Sequence, residues 1–133
     1  MEPEVRYLIV CDDVDTDPEN FLRVDVRGLI THIRSRARPP FPVVRPHFCV
    51  LILLTGCQGV GELSLRIVEG GTGRVIFRNQ PRRVRFAGAT EDVAGFVFHI
   101  KDCSFPAGGL YWVECIFSSV VISRQSITLT STE

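Results

Sequence analysis

An all-β fold, a single antiparallel β-sandwich with about seven to nine strands, is what this sequence predicts. Three observations carry that expectation. Apolar residues alternate with polar ones at a period of two through most of the chain, the signature of strands with one buried face. Gly- and Pro-rich turn signals recur between these stretches. No segment reads as a convincing helix. At 133 residues, with no internal repeat or linker, residues 1–133 are expected to form one domain able to bury roughly two-thirds of its unfolded surface.

The elements follow in order. Residues 5–14 begin the series. Residues 21–33 place Leu22, Val24 and Val26 on one face and Arg23, Asp25 and Arg27 on the other, the pattern of a sheet with one wet side. Residues 37–46 hold four prolines and are expected to form an extended connection rather than a central strand. Residues 48–55 are continuously apolar, as for a strand covered on both faces. Residues 56–61, Gly-Cys-Gln-Gly-Val-Gly, form a loop. Residues 62–69 and 74–78 make a hairpin around Gly70-Gly71-Thr72-Gly73, with Leu63, Leu65 and Ile67 inward. Residues 83–86 form a short strand, and 87–92 a polar loop with room for one helical turn. Residues 93–100 align Phe96, Phe98 and Ile100.

The closing stretch, residues 105–129, is the clearest. Tyr111, Val113, Cys115 and Phe117 fall on one face, and Leu110, Trp112, Glu114 and Ile116 on the other. A turn at Ser118-Ser119 sets Phe117 opposite Val120, Cys115 opposite Ile122, Glu114 opposite Ser123 and Trp112 opposite Gln125.

Two sets of residues carry a resemblance. The step Phe105-Pro106-Ala107-Gly108-Gly109-Leu110-Tyr111 is similar to the approach to the penultimate strand of many bacterial immunoglobulin-like domains, where a tyrosine hydrogen-bonds back to the chain. Three longer stretches, Leu-Ile-Val-Cys-Asp-Asp-Val with Leu-Arg-Val-Asp-Val-Arg-Gly-Leu-Ile-Thr-His-Ile, Leu-Ser-Leu-Arg-Ile-Val with Thr-Gly-Arg-Val-Ile-Phe, and the closing hairpin, together resemble a family of small uncharacterised bacterial β-sandwich proteins. The resemblance implies a β-sandwich of immunoglobulin-like type and carries over no catalytic residue. The chain lacks the Cys…Trp…Cys arrangement of antibody domains, because Trp112 lies on a late strand.

Composition narrows the function classes. Formal net charge is zero, so the basic footprint that nucleic-acid or anionic-membrane binding requires is missing. The N-terminus carries acidic residues where a signal peptide needs basic ones. The longest apolar run falls far short of the ~20 residues of a spanning helix. A cytoplasmic protein with no membrane and no nucleic-acid partner is expected. The five cysteines form no close pair, and Cys11, Cys49 and Cys115 sit in apolar strands. Buried, reduced thiols are expected there.

Asp13, Asp15 and Asp17, in the loop 12–19, could offer hard oxygen ligands to Ca²⁺. Pro18 stands where an EF-hand loop needs glycine, and solvated turn aspartates explain the cluster as well. Arg34, Arg36 and Arg38, with Arg82, Arg83 and Arg85, could together contact phosphate; charged strand edges that discourage aggregation account for them better. His32, His47 and His99 show no zinc-ligand spacing, alone or with the cysteines. His99 and Cys103 could meet as a thiol pair if the strand turns there, with no orienting third group in view. Residues 39–46 could dock as a polyproline ligand, although Phe41 and Val43 call for burial within the domain.

Trp112 stands on a face flanked by Leu110 and Ile116, extended by the cross-strand neighbours Gln125 and Ile127. Either another segment covers that face, or it is an apolar patch that marks an interface. The function expected is a non-enzymatic protein-binding or scaffold module whose partner is itself or another protein, with no cofactor and no catalytic residues. A Ca²⁺-dependent recognition domain using Asp13, Asp15 and Asp17 is the alternative.

Overall fold

The computed structural model describes residues 3–17, 19, 23–56, 58–86 and 93–132. Within them ten strands form two sheets. Strands β1 (Glu4–Thr16), β2 (Val24–Leu29), β4 (Val43–Thr55) and β8 (Ala94–Phe105) make a four-stranded sheet in the order β2-β1-β4-β8. Strands β3 (His32–Ser35), β5 (Gly59–Glu69), β6 (Val75–Arg78), β9 (Gly109–Phe117) and β10 (Val120–Ser131) make the second, in the order β3-β10-β9-β5-β6, and β7 (Arg82–Phe86) also pairs with β5. The all-β expectation holds. The expectation of wholly antiparallel pairing does not, because β3 runs parallel to β10, from His32 beside Thr128 to Ser35 beside Ser131.

That parallel pair has a local cause. Residues 21–33 were expected to form one strand, but the chain changes sheet after Leu29. Ile30 N–H still donates to the Val10 carbonyl of the first sheet, at 2.8 Å, whereas the Thr31 carbonyl already accepts from Thr128 N–H of the second, at 3.1 Å. Val24 and Val26 are half-buried and Arg23, Asp25 and Arg27 exposed, as the alternation requires; Leu22 lies outside the described residues.

The core sits between the sheets. Phe48, Val50, Ile52, Leu54, Phe98 and Ile100 come from one side, and Leu63, Leu65, Ile67, Tyr111, Val113, Cys115, Phe117, Ile127 and Leu129 from the other. Alternation inward and outward along each strand places them there. The final turn is a tight one: Ser118 and Ser119 both take positive φ, 45° and 73°, the requirement of a type I′ hairpin. The tyrosine expectation also holds. Tyr111 Oη donates to the Ala107 carbonyl at 2.7 Å and accepts from Ala107 N–H at 3.2 Å, fixing the corner that leads into β9.

The outer face of the four-stranded sheet is treated differently. Cys49 and Leu51 alternate with core residues and so point away from the core, yet they are fully buried. Their cover is the β1–β2 ribbon. Cys11 pairs with Cys49 and Ile9 with Leu51, so a straight β1 would carry Thr16 about 17 Å beyond that point. Instead Thr16 and Val24 line one cleft with Leu51, Leu53, Gly95 and Val97, and Val24 and Val26 another with Tyr7, Ile9 and Leu53. The ribbon therefore bends back over the sheet beyond Cys11. This explains the unbroken apolar run of β4. Gly28 permits the ribbon's own close packing: it has φ +66°, and a Cβ there would lie 2.2 Å from Asp12 Oδ2.

Candidate functional site

The β9–β10 hairpin presents the largest aromatic side chain of the chain. Its register follows expectation at Phe117 and Val120, then slips by one residue at a bulge between Val121 and Ser123. Beyond it Cys115 faces Ser123, Glu114 faces Arg124, Trp112 faces Ser126, and Tyr111 faces Ile127. Two expected members of the Trp112 face are thereby removed. Gln125 pairs with Val113, on the opposite face, and Ile127 is a fully buried core residue. A bulge inverts every later side chain of its strand, and no glycine or proline advertises this one.

What remains on the outer face is Leu110, Trp112, Ile116 and Val121. Leu110 and Val121 are each 40% exposed. The bulge supplies a neighbour the sequence did not suggest: the Arg124 guanidinium lies 4.0 Å from the centroid of the Trp112 ring, a cation–π contact. Beside it Arg66 Nε donates to Glu114 Oε1 at 2.6 Å. Ile116 and Val121 border a cleft completed by Ser64, Arg66, Arg78 and Pro81.

The acidic segment is not the loop expected for residues 12–19. Asp12 to Thr16 belong to β1, and Asp13 to Thr16 pair with β2. Asp13 and Asp15 stand on the same side of the ribbon and share one arginine: Arg27 Nη2 donates to Asp13 Oδ2 at 2.7 Å and to Asp15 Oδ1 at 3.2 Å. That guanidinium holds the Asp13 carboxyl below its usual range. Asp12 pairs with Arg45. Asp17 Oδ1 accepts from Glu19 N–H at 2.9 Å, a local turn. The aspartates thus meet arginine or their own backbone.

The two arginine groups do not make one patch. Arg34 lies on β3 and Arg82, Arg83 and Arg85 on β7, at opposite edges of the six-stranded sheet, about 15–20 Å apart by strand spacing. Arg82 lies over the Phe98 ring, 4.9 Å from its centroid.

The thiols fall into two environments. Cys115 and Cys103 face the core, and burial pushes their pKa up to about 12 and about 11. Cys103 pairs opposite Arg45, and the suggested meeting with His99 does not occur. Cys57 lies outside the described residues. Cys11 and Cys49 lie beneath the ribbon, neighbours across β1 and β4, and all four described cysteines are free and buried. Burial raises the Cys49 pKa, the Asp13 charge adds to it, and a Val14 backbone hydrogen bond opposes it.

His99 instead stands directly across from Cys49 on β8. His47, two residues before Cys49, shares its face. The result is a cluster: His47 Nε2 lies 3.0 Å from His99 Nδ1, and Cys49 Sγ lies 3.5 Å from His99 Nδ1 and 3.9 Å from His47 Nε2. Both imidazoles are exposed and stacked at 24°, whereas Cys49 is buried. Among the described residues this is the group of His, Cys, Asp and Glu donors that converges as metal ligands do. Sequence spacing missed it, because the 50 residues between Cys49 and His99 mean nothing until the β4–β8 register is known. Its one local signal is His47-Phe48-Cys49, two ligand types on one strand face.

No protein-family model matches the chain, and no curated protein matches it. Among solved structures, the chain is similar to part of the crystal structure of a β-glucosidase from Listeria innocua in complex with isofagomine. The TM-score is 0.44 at 10% identity, over 93% of this chain and 16% of that one. The chain therefore spans about a sixth of that protein's length, and no family is assigned by the likeness.

Proposed function

We propose that this chain is a non-enzymatic protein-binding module of immunoglobulin-like type, recognising a second copy or another protein through the outer face of its six-stranded sheet. The observation that carries the reading is the apolar cluster on that face, where Leu110, Trp112, Ile116 and Val121 are left partly open among the described residues. A tryptophan flanked by aliphatics and topped by an arginine combines the residue types most enriched at the energetic centres of interfaces. The Arg66–Glu114 pair supplies a polar rim.

Membership of the bacterial immunoglobulin-like group is part of the same proposal. It is supported by the Tyr111 corner and by the adjacency of β1, β4 and β8 in one sheet and of β5, β9 and β10 in the other, the neighbours expected of the two immunoglobulin sheets. The experiment is Trp112→Ala, read by sedimentation velocity across a concentration series and by denaturant unfolding. At an interface the change weakens assembly with less than about 1.5 kcal/mol lost from the monomer. A protein that is monomeric at every concentration, binds no partner, and loses the roughly 3–5 kcal/mol of a core aromatic would return Trp112 to an ordinary structural role.

A further inference from the structure

The His47, Cys49 and His99 cluster lies on the opposite side of the molecule from the Trp112 face and is independent of it. We propose that His47 Nε2, Cys49 Sγ and His99 Nδ1 form a three-ligand site for a thiophilic closed-shell cation, Zn²⁺ or Cu⁺, with any further coordination completed from solvent.

Donor geometry is the first argument. Metal–nitrogen bonds of about 2.0 Å and metal–sulfur bonds of about 2.3 Å, in tetrahedral or trigonal ligation, separate two nitrogens by about 3.3–3.6 Å and nitrogen from sulfur by about 3.5–3.8 Å. The three observed separations, 3.0, 3.5 and 3.9 Å, require shifts of only a few tenths of an ångström. Exposed imidazoles supply such shifts by small χ rotations.

Preorganisation is the second. Cys49 and His99 are fixed by direct pairing across two well-packed strands, and His47 by its place two residues along β4. A site built on strands holds its donors more tightly than one on loops. The folded ribbon closes over the sulfur and leaves the imidazoles at the surface, so a cation can reach the site from solvent.

Donor chemistry is the third. One thiolate with two imidazoles is a borderline-soft set, suited to zinc or copper and ill suited to calcium or magnesium. Binding replaces the thiol proton of Cys49 with the metal, and one proton leaves to solvent.

The test uses the full chain, reduced and freed of metal. Co²⁺ serves as the spectroscopic probe for the zinc arm, Zn²⁺ is titrated in competition with a chromophoric chelator, and Cu⁺ in competition with a Cu⁺-selective chelator. The expected result is one ion per chain, with a near-ultraviolet thiolate-to-cobalt band in the zinc arm. Preference for one ion over the other says which occupies the site. His47→Gln and His99→Gln, both at exposed positions, should each weaken binding by at least about a hundredfold, since even supporting residues of metal sites cost 10–100-fold. Cys49→Ser should abolish the thiolate band; because Cys49 is buried, its circular dichroism is checked and the two histidine variants stand alone if it fails to fold. Failure of the wild-type chain to bind either ion tighter than millimolar overturns the proposal. So does unchanged stoichiometric binding in both histidine variants. Neither result bears on the Trp112 face.

Discussion

Gly61 is the position where the packing of this sandwich can be tested most sharply. It is buried on β5, and a Cβ placed there would lie 2.2 Å from Phe117 Cζ and 2.5 Å from Cε2. Carbon atoms in favourable contact sit about 3.5–4.0 Å apart, so Gly61→Ala forces the ring to retreat by about 1.5 Å. The ring has little room. Phe117 is only 8% exposed, and Phe86 packs against it with centroids 6.1 Å apart. Overpacking of this kind costs about 1–3 kcal/mol, and a clash with a confined aromatic belongs near the top of that range. Phe117→Ala alone should cost about 3 kcal/mol, the low end for a buried phenylalanine, because the residue keeps 8% of its surface in solvent. In Gly61→Ala/Phe117→Ala the new methyl enters space the ring has vacated. The double variant should then lose about 3 kcal/mol rather than the ~6 of an additive pair, a coupling far above the few tenths seen for independent sites. Urea unfolding of the four proteins, followed by circular dichroism, measures the cycle. A Gly61→Ala variant within about 0.5 kcal/mol of wild type, or a double variant equal to the sum, would refute the close approach and the β5–β9 packing that produces it.

Two further outcomes follow from the corner tyrosine and the buried thiols. Tyr111→Phe removes both hydrogen bonds to Ala107; because Ala107 is exposed and water replaces the partner, the loss should be about 1 kcal/mol. Amide exchange should accelerate at Ala107 and stay unchanged at Val113, and an unaltered Ala107 amide would contradict the corner. Burial raises the pKa of Cys115 to about 12 and of Cys103 to about 11 from an unfolded value of 9.0. The folded state therefore keeps protons that the unfolded chain releases, so this contribution is complete below pH 9 and is lost as pH rises toward the folded values. Each thiol should remove about 1.4 kcal/mol between pH 8 and pH 10, and Cys115→Ala should halve their joint contribution to the slope of unfolding free energy. An identical slope in the variant would mean that Cys115 ionises freely in the folded protein.

Local pattern was legible in the chain. Period-two alternation in residues 62–69 and 93–100 assigned Leu63, Leu65, Ile67, Phe98 and Ile100 to the core, since a strand's facing is fixed by its own geometry. The serine turn was legible because residues adjacent in the chain set it, and the tyrosine corner was legible through the resemblance of residues 105–111 to bacterial immunoglobulin-like domains. Whatever depends on pairing between distant segments lay beyond it. The unbroken apolar run of β4 announced cover on both faces, but only the tertiary structure showed that the chain's own β1–β2 ribbon provides it. The bulge after Val121 moved Ile127 into the core and brought Arg124 onto Trp112. The change of sheet after Leu29 produced the parallel pair. The convergence of His47, Cys49 and His99 depends on the register between β4 and β8. Register is a relation between strands, set by the packing of whole faces against one another, and a one-residue slip that leaves local propensity nearly unchanged reverses every side chain beyond it.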